Sequence, residues 1–478
     1  MATTEEEQRH RLVQCFARAD LTVEQLWIRY FALGGAMDLF ELDAYLNAAM
    51  SLPGVQRDML AHALNERLDE LIGRDRVPYT RTIRQAHPVS GPLAALVDLL
   101  EGAHRAPPER LPSLMDAAGR SLGLRVGVYL ADYAQQTLLP VRGDRGSIDI
   151  DSTPAGQAFR RGDVVITGEA GDARLWAPLL DGVERLGVLE AEPTDGTDPH
   201  DPILRDQCRW LAYLFGHLVT ITTKYGDGLD RVRRREHRGP LTELLWTALP
   251  PLTAATETVT IAAATEPAYD VTSDVFDYAL SETAVSFAIF DAGTHEPAGT
   301  LAAAVALSAY RAARRDGREL DDQARAVDEA VGSLGGGTVC GVIGRFDVAT
   351  GRLAHVAAGH HGPVLLRDGT MNEPPADCPA PPFGGPVERS TAEQQLRRSD
   401  VVVLYTDGVT GARDPDGHAF GFAGLARVAR REVPARLLPE AVRRITQAVL
   451  AHGKGSLADD ASVLLLRPFG DGRSSEWF

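Results

Sequence analysis

A chain of 478 residues with 44% hydrophobic and 24% charged side chains has the profile of a folded globular protein, and at ~100–200 residues per domain it holds about three domains. Its 49 basic against 66 acidic side chains leave a net charge of −17, which argues against nucleic acid or an anionic membrane as partner and favours proteins or small molecules. Cys15, Cys208, Cys340 and Cys378 lack paired spacing, no apolar run approaches the ~20 residues of a membrane span, and MATTEEEQRHR has no signal-peptide core, so the chain reads as cytoplasmic.

Residues 1–105 read as a helical region. Thr22 and Gln25 have capping-box spacing before LWIRYFAL, Gly34 and Gly35 form a stop, and Leu60, Leu64, Leu68 and Leu71 share one face of a later helix. A small bundle or a dimerisation element is expected there, and no chemistry.

A second unit is expected over 111–223. The helical SLMDAAGRSLG leads into strand patterns in VGVYLAD and QTLLPVR, then polar turns, then PAGQAFRRGDVVIT and LWAPLLDGVERLGVLEAE. This stretch resembles a GAF domain at Gly156, Ala158, Phe159, Gly162, Pro178, Leu179, Gly187, Val188 and Leu189. The resemblance implies an antiparallel sheet with helices. It also implies a role in passing signals, with a small-molecule ligand in some members. Cys208 reads as a buried small hydrophobe rather than a chromophore anchor. Residues 224–240 carry Arg231, Arg233, Arg234, Arg235 and Arg238, read as a solvated connecting helix that would relay torsion in a homodimer.

The third unit, 241–468, is followed by a tail at 469–478. Strand-like runs VTIAAAT, AVSFAIF, TVCGVIGRF, RLAHVAAG, PVLLR, VVVLYT and SVLLLR are separated by Gly, Pro or Asp turns, and helical patterns fall at 298–315, 321–331 and 437–451. Strands in succession with helices bunched between groups predict an α+β fold of two antiparallel sheets flanked by helices.

Asp274, Asp291, Asp407 and Asp459 stand at the ends of such runs or in turns beside them. If the strand ends converge, the four carboxylates need a counter-charge, and an all-oxygen set suits Mg²⁺ or Mn²⁺. Taken singly, each has an ordinary reading as a turn or surface residue. Asp277, Asp414, Asp416 and Asp460 are assigned to structural roles.

In order, LLWTALPPL, EPAYDVTSDVFDY, FAIFDAGTHE, FDVATGRLAHVAAGHHGPVLLRDG, VVLYTDGVTGARDPDGHAFG and ADDASVLLLRP resemble the SpoIIE-like branch of the PPM family of metal-dependent protein serine/threonine phosphatases. The resemblance implies an α-β-β-α sandwich and two Mg²⁺ or Mn²⁺ ions. Asp291 would bridge the ions, Asp274 would hold one side, Asp407 and Asp459 the other, and the backbone carbonyl of Ala292 would add a ligand. Hydrolysis of a phosphoserine or phosphothreonine by an activated water follows, on a STAS-type anti-sigma factor antagonist.

His295 matches the histidine of the family's Gly-His-Gly segment and is assigned as proton donor to the leaving group, whereas His360 and His361 in AGHHGP are read as shaping a turn. Two departures from the family pattern, Thr272-Ser273 in place of a glycine pair and Thr294-His295-Glu296 in place of Gly-His-Gly, leave two alternatives open. One is a pseudophosphatase that only binds a regulatory protein. The other is a small-molecule sensor with the last domain as output.

Overall fold

The computed structural model describes residues 4–72, 91–142, 145–168, 173–194, 197–235, 237–267, 272–294, 296–374 and 380–468. Among these, no helix is long and apolar enough to cross a membrane. The chain divides by packing into residues 1–97 and 98–478.

The first unit holds α1 (Thr4–Arg18), α2 (Val23–Ala32), α3 (Leu39–Leu46) and α4 (Gly54–Ile72). Thr22 caps α2 through a capping box with Gln25, and Asp38 with Glu41 does the same for α3, so each helix start is satisfied by its own sequence. Leu60, Leu64 and Leu68 are buried with Leu12, Leu26 and Tyr30; the side chain of Leu71 lies outside the described residues. Helix α5 (Pro92–Ala103) runs across the division in the chain.

The larger unit begins with α6 (Leu111–Ser121), β1 (Leu124–Ala131), β2 (Thr137–Pro140), β3 (Ile148–Asp149), α7 (Pro154–Arg161), β4 (Val165–Thr167), β5 (Arg174–Asp181), β6 (Glu184–Pro193) and α8 (Pro202–Thr222). The strands form one antiparallel sheet in the order β3-β2-β1-β6-β5-β4. Helix α7 covers one face through Ala155, Ala158 and Phe159, packed with Tyr129, Trp176 and Val188. Cys208 is fully buried in α8.

After α8 the chain does not continue as a solvated helix. It turns, forms the short α9 (Gly228–Arg233), turns again, and enters α10 (Pro240–Ala248). Arg233, Arg234 and Arg238 of the basic run are taken up by packing, while Arg231 and Arg235 stay exposed. Arg233 donates to the Ala131 carbonyl at 2.9 Å, Arg234 pairs with Asp230 and Glu243, and Arg238 lies 3.6 Å over the Trp246 ring.

The remainder comprises β7 (Thr253–Ala255), β8 (Val259–Glu266), β9 (Asp274–Leu280), β10 (Ala284–Asp291), α11 (Pro297–Arg315), α12 (Leu320–Gly332), β11 (Cys340–Asp347), β12 (Arg352–Ala358), β13 (Val364–Arg367), β14 (Thr370–Met371), β15 (Ala392–Gln395), β16 (Val401–Tyr405), α13 (Asp407–Gly411), α14 (Gly421–Glu432), α15 (Leu438–His452) and β17 (Ala461–Pro468). One sheet runs β15-β12-β11-β10-β9 and the other β14-β13-β16-β17-β8-β7.

Alternation along the strands builds the layers. Phe276, Phe287 and Ile289 meet Val402, Leu404 and Leu464 between the sheets. The opposite residues of β9 and β10, Val275, Ala288 and Phe290, pack under α11 and α12, while Val403, Val463 and Leu465 pack under α14 and α15. The result is the expected α-β-β-α sandwich within an α+β chain. Strand β9 is not among the apolar runs of the sequence because Asp274 and Asp277 interrupt it. The structure places Asp277 on the helix-facing side, where Arg311 and Arg314 of α11 bind it at 2.6 and 2.7 Å.

Truncating Asp277 strands two arginines in a low-dielectric layer. Asp277→Ala should therefore lower the unfolding free energy by about 3–5 kcal/mol, read as an earlier urea midpoint, while affinity for divalent ions is retained.

Candidate metal centre

Asp274 opens β9 and Asp291 closes β10, and the two are direct partners in the antiparallel register. Such partners have Cα atoms about 4.5–5.5 Å apart and side chains on the same face. Counting by twos from Phe276 and Ile289 places both on the face toward the second sheet, at its open end. In that sheet β16 and β17 pair at Tyr405 and Val463. Thr406 and Asp407 therefore follow β16 where Asp459 and Asp460 precede β17. The Thr406 N–H donates to the Ser462 carbonyl at 3.0 Å and extends the ladder to that point.

The Asp407-Gly408 pair is not a turn; Asp407 starts α13. A β-carbon on Gly408 would lie 2.0 Å from the Asp460 carbonyl oxygen, so a residue without one is needed for Asp407 to approach the 459–460 backbone.

Burial, joined by the charges of Asp407 and Asp459 and a hydrogen-bond contact with Asp407, pushes the Asp291 carboxyl up to about 7, although the Gly293 N–H donates to it at 2.6 Å. Burial, with the charges of Asp291 and Asp460, drives Asp274 well above the usual carboxylate range against a 2.7 Å hydrogen bond from the Thr406 hydroxyl. Neither Asp274 nor Asp291 forms an ion pair with a basic side chain among the described residues. Converging carboxylates without such a neighbour fit hard divalent cations by the chemistry of the donor set.

Asp274 and Asp291 thus stand side by side on one sheet, and Asp407 and Asp459, from the ends of β16 and β17 in the other, lie near enough for their charges to act on Asp291; among the described residues the group of three ligand atoms within 4.8 Å of one another is Asp414, Asp416 and His418, not these aspartates. Ala292 follows Asp291 and is buried, its N–H 3.4 Å from the Ser273 carbonyl. His295 lies outside the described residues, as does Cys378. Glu296 is exposed just before α11. The cluster Asp414, Asp416 and His418 forms a separate turn after α13, in which Asp414 accepts the N–H groups of Asp416 and His418.

Asp460 has the structural role read from the sequence, beside Asp274, whose carboxyl its charge helps to raise. It is fully buried, and its carboxylate accepts the Thr272 hydroxyl at 2.9 Å and the Ser273 N–H at 2.7 Å. The residues that replace the family's glycine pair therefore hold an aspartate in place. An Asp-Asp doublet directly before an apolar strand is the sequence signal for it.

The ring nitrogens of His360 lie 2.6 Å from the His361 carbonyl oxygen and 2.9 Å from that of Tyr405, tying the AGHHGP turn to the end of β16 two residues before Asp407. Burial pulls the His360 pKa below its ordinary value. These contacts brace the centre.

Residues 281–469 match the family model described as Stage II sporulation protein E (SpoIIE). The matched segment contains Asp291, Asp407, Asp459 and Asp460 and begins after Asp274. The C-terminal sandwich belongs to the SpoIIE-like branch of the PPM phosphatase family. Comparison with curated proteins gives no match.

Similar solved structures include the RsbU and RsbW domains of a Mycobacterium tuberculosis protein, at 19% identity and TM-score 0.40 over 45% of this chain and 62% of that one. The phosphatase domain with a regulatory fragment of SpoIIE from Bacillus subtilis gives 12% and 0.37 over 45% and 66%. The SiaA-PP2C domain of Pseudomonas aeruginosa gives 20% and 0.39 over 43% and 85%. The chain thus spans less than two thirds of the length of the first two.

An acid whose folded pKa is about 7 instead of 3.8 costs stability wherever it is ionised: nothing below pH 3.8, the full amount above pH 7. In EDTA at pH 8, Asp291→Asn should therefore melt higher than the wild type, and the gap should close toward pH 4. Differential scanning fluorimetry at the two pH values checks this, and a lower melting point for Asp291→Asn at pH 8 would contradict it.

Proposed function

We propose that this protein is a metal-dependent protein serine/threonine phosphatase. It acts in the cytoplasm on a phosphorylated bacterial regulatory protein, a STAS-type anti-sigma factor antagonist, under control of the GAF-like unit at 111–223. The observation that carries the reading is the Asp274–Asp291 register pair, on which the charges of Asp407 and Asp459 from the other sheet act, in a sandwich whose matched segment is SpoIIE-like. The substrate class rests on the sequence resemblance of the C-terminal motifs.

Asp274, Asp291, Asp407, Asp459 and the Ala292 carbonyl would hold two Mg²⁺ or Mn²⁺ ions. Bound there, they would lower the pKa of an attacking water and neutralise phosphoryl oxygens. The chain's own groups supply position. The β9–β10 register fixes the Asp274–Asp291 pair, Gly408 lets Asp407 close on the 459–460 backbone, and Thr272, Ser273 and Thr406 hold Asp460 and Asp274 by hydrogen bonds. A rigid donor set of this kind is what phosphoryl transfer draws on, because positioning and charge neutralisation supply most of its rate. His295 is assigned to protonate the leaving serine or threonine oxygen.

A small-molecule signal is assigned to the GAF-like unit. A cleft of about 1070 Å³, lined among others by Tyr133, Leu180, Tyr213 and Trp246, lies beside it and favours that assignment.

Hydrolysis of p-nitrophenyl phosphate and of a phosphoserine peptide should require Mn²⁺ or Mg²⁺, and Asp291→Ala should lose kcat by more than ~100-fold, the scale for removing an electrostatic element of a transition-state site. No turnover with any divalent ion would leave the pseudophosphatase reading, in which partner binding survives Asp291→Ala.

A further inference from the structure

Where the GAF-like sheet meets the phosphatase sandwich, charged side chains are buried together. Arg185 of β6, Glu440 in the first turn of α15 and Arg443 one turn on expose only 2%, 1% and 3% of their side chains. Arg185 donates to Glu440 at 3.0 Å from one unit, and Arg443 chelates the same carboxylate at 2.8 Å through two nitrogens from the other. Arg443 also reaches back across the junction, to Asp151 before α7 at 2.5 Å and to the Gln135 carbonyl at 3.1 Å. Burial alone would raise the Glu440 carboxyl, but the guanidiniums of Arg443 and Arg185 outweigh it and hold it down at about 2.

Two features tie this network to a signal. Gln135, whose side chain accepts from Arg185 at 3.0 Å, has φ +51°, a left-handed conformation that a non-glycine residue keeps only when its surroundings hold it. The Arg185 guanidinium also lies 4.6 Å over the Phe159 ring, and Phe159 is the α7 residue at the centre of the core against the sheet. A ligand or partner that moves α7 therefore moves Arg185 and Asp151 together.

On the other side, α15 is a rigid lever. Ala441, Val442, Ile445 and Val449 lock it to Ala461, Val463 and Leu465 of β17. The loop from Gly453 then carries the chain directly into Asp459 and Asp460. Glu440 and Asp459 are thus joined by α15 and the short loop 453–458, which is anchored by the buried Leu457.

We propose that Glu440 is a positioning residue for the metal centre. Gripped from the GAF-like sheet by Arg185 and through Arg443 by Asp151, it sets α15, and α15 sets where Asp459 stands. The inference rests on the metal-centre reading above and adds its control route: the signal passes through the buried junction and α15 rather than through residues 224–240.

The test is Mn²⁺ binding by isothermal titration calorimetry on the full chain, with melting points for each variant. Arg185→Met alters only the sensor side, and Glu440→Gln keeps shape while removing charge. Each should weaken Mn²⁺ binding by about tenfold, the lower end of the effect of lost outer-sphere partners on metal affinity. Asp151→Asn, at a half-exposed position, should weaken it in the same direction by less and decides the matter if the buried variants do not fold.

The control is Asp400→Asn. It breaks the pair of the buried Asp400 with the part-exposed Arg367 at the other end of β16 from Asp407, so it should lower the melting point and leave Mn²⁺ binding unchanged. Folded Arg185→Met and Asp151→Asn that bind Mn²⁺ like the wild type would overturn the coupling and leave the metal centre standing. A wild-type chain that binds no Mn²⁺ would overturn both. Mn²⁺ binding without phosphoester turnover would sink only the enzyme reading, since the calorimetric comparison does not need turnover.

Discussion

Repulsion among carboxylates at one end of the sandwich is the constraint on which the site depends. Asp274 and Asp291 are forced side by side by strand register, and Asp407, Asp459 and Asp460 arrive from the facing sheet. Buried anions in this number are tolerated only when protons, hydrogen bonds or cations meet their charge. Hydrogen bonds from Thr272, Ser273, Thr406 and the Gly293 N–H carry part of that load. The raised Asp274 and Asp291 pKa values show that they do not carry all of it. The strain on Asp274 and Asp291 that remains is what the proposed function would relieve with divalent ions.

What offsets that strain is the apolar layer behind it. Period-two alternation sends Phe276, Phe287 and Ile289 into contact with Val402, Leu404 and Leu464, and the same alternation carries Asp274 and Asp291 to the rim of that layer. Hydrophobic packing and carboxylate placement are consequences of one register. A slip of one residue in β9 or β10 would turn the phenylalanines and the aspartates alike away from the second sheet and toward α11 and α12. Asp277 shows what that side demands of an acid: two arginines, supplied by α11.

The sandwich was legible in the sequence because most of its strands are uninterrupted apolar runs and its helices have clear periodicity. The aspartates were legible because each stands where such a run stops. Strand β9 was obscured by its own chemistry, since acids at 274 and 277 break the alternation that marks a strand. The structural role of Asp460 was legible but its partners were not: beside Asp459 it looks like a solvating residue at a strand start, and only the structure shows the long-range contact with Thr272 and Ser273, 188 and 187 positions away. The arginine run at 231–238 was read as solvated because sequence cannot show that Ala131, Asp230 and Trp246 lie in reach. Local pattern reports local structure, and these three cases are set by contacts between distant segments.

The same distinction bears on how the proposed centre would be controlled. Two of its aspartates belong to each sheet, so their spacing depends on the relative placement of the two layers, and no single strand defines the site. A small displacement of β17 against β10 alters the spacing of Asp459 from Asp291 directly, and hard divalent ions, Mg²⁺ above all, are intolerant of such changes in oxygen geometry. The helix best placed to impose that displacement is the one packed along β17, and α15 is also the helix that buries its first turn against the neighbouring sheet through Glu440. A centre shared between layers is weaker as a scaffold than one built on a single hairpin. It is also the kind of centre that a contact on the outside of one layer can tune.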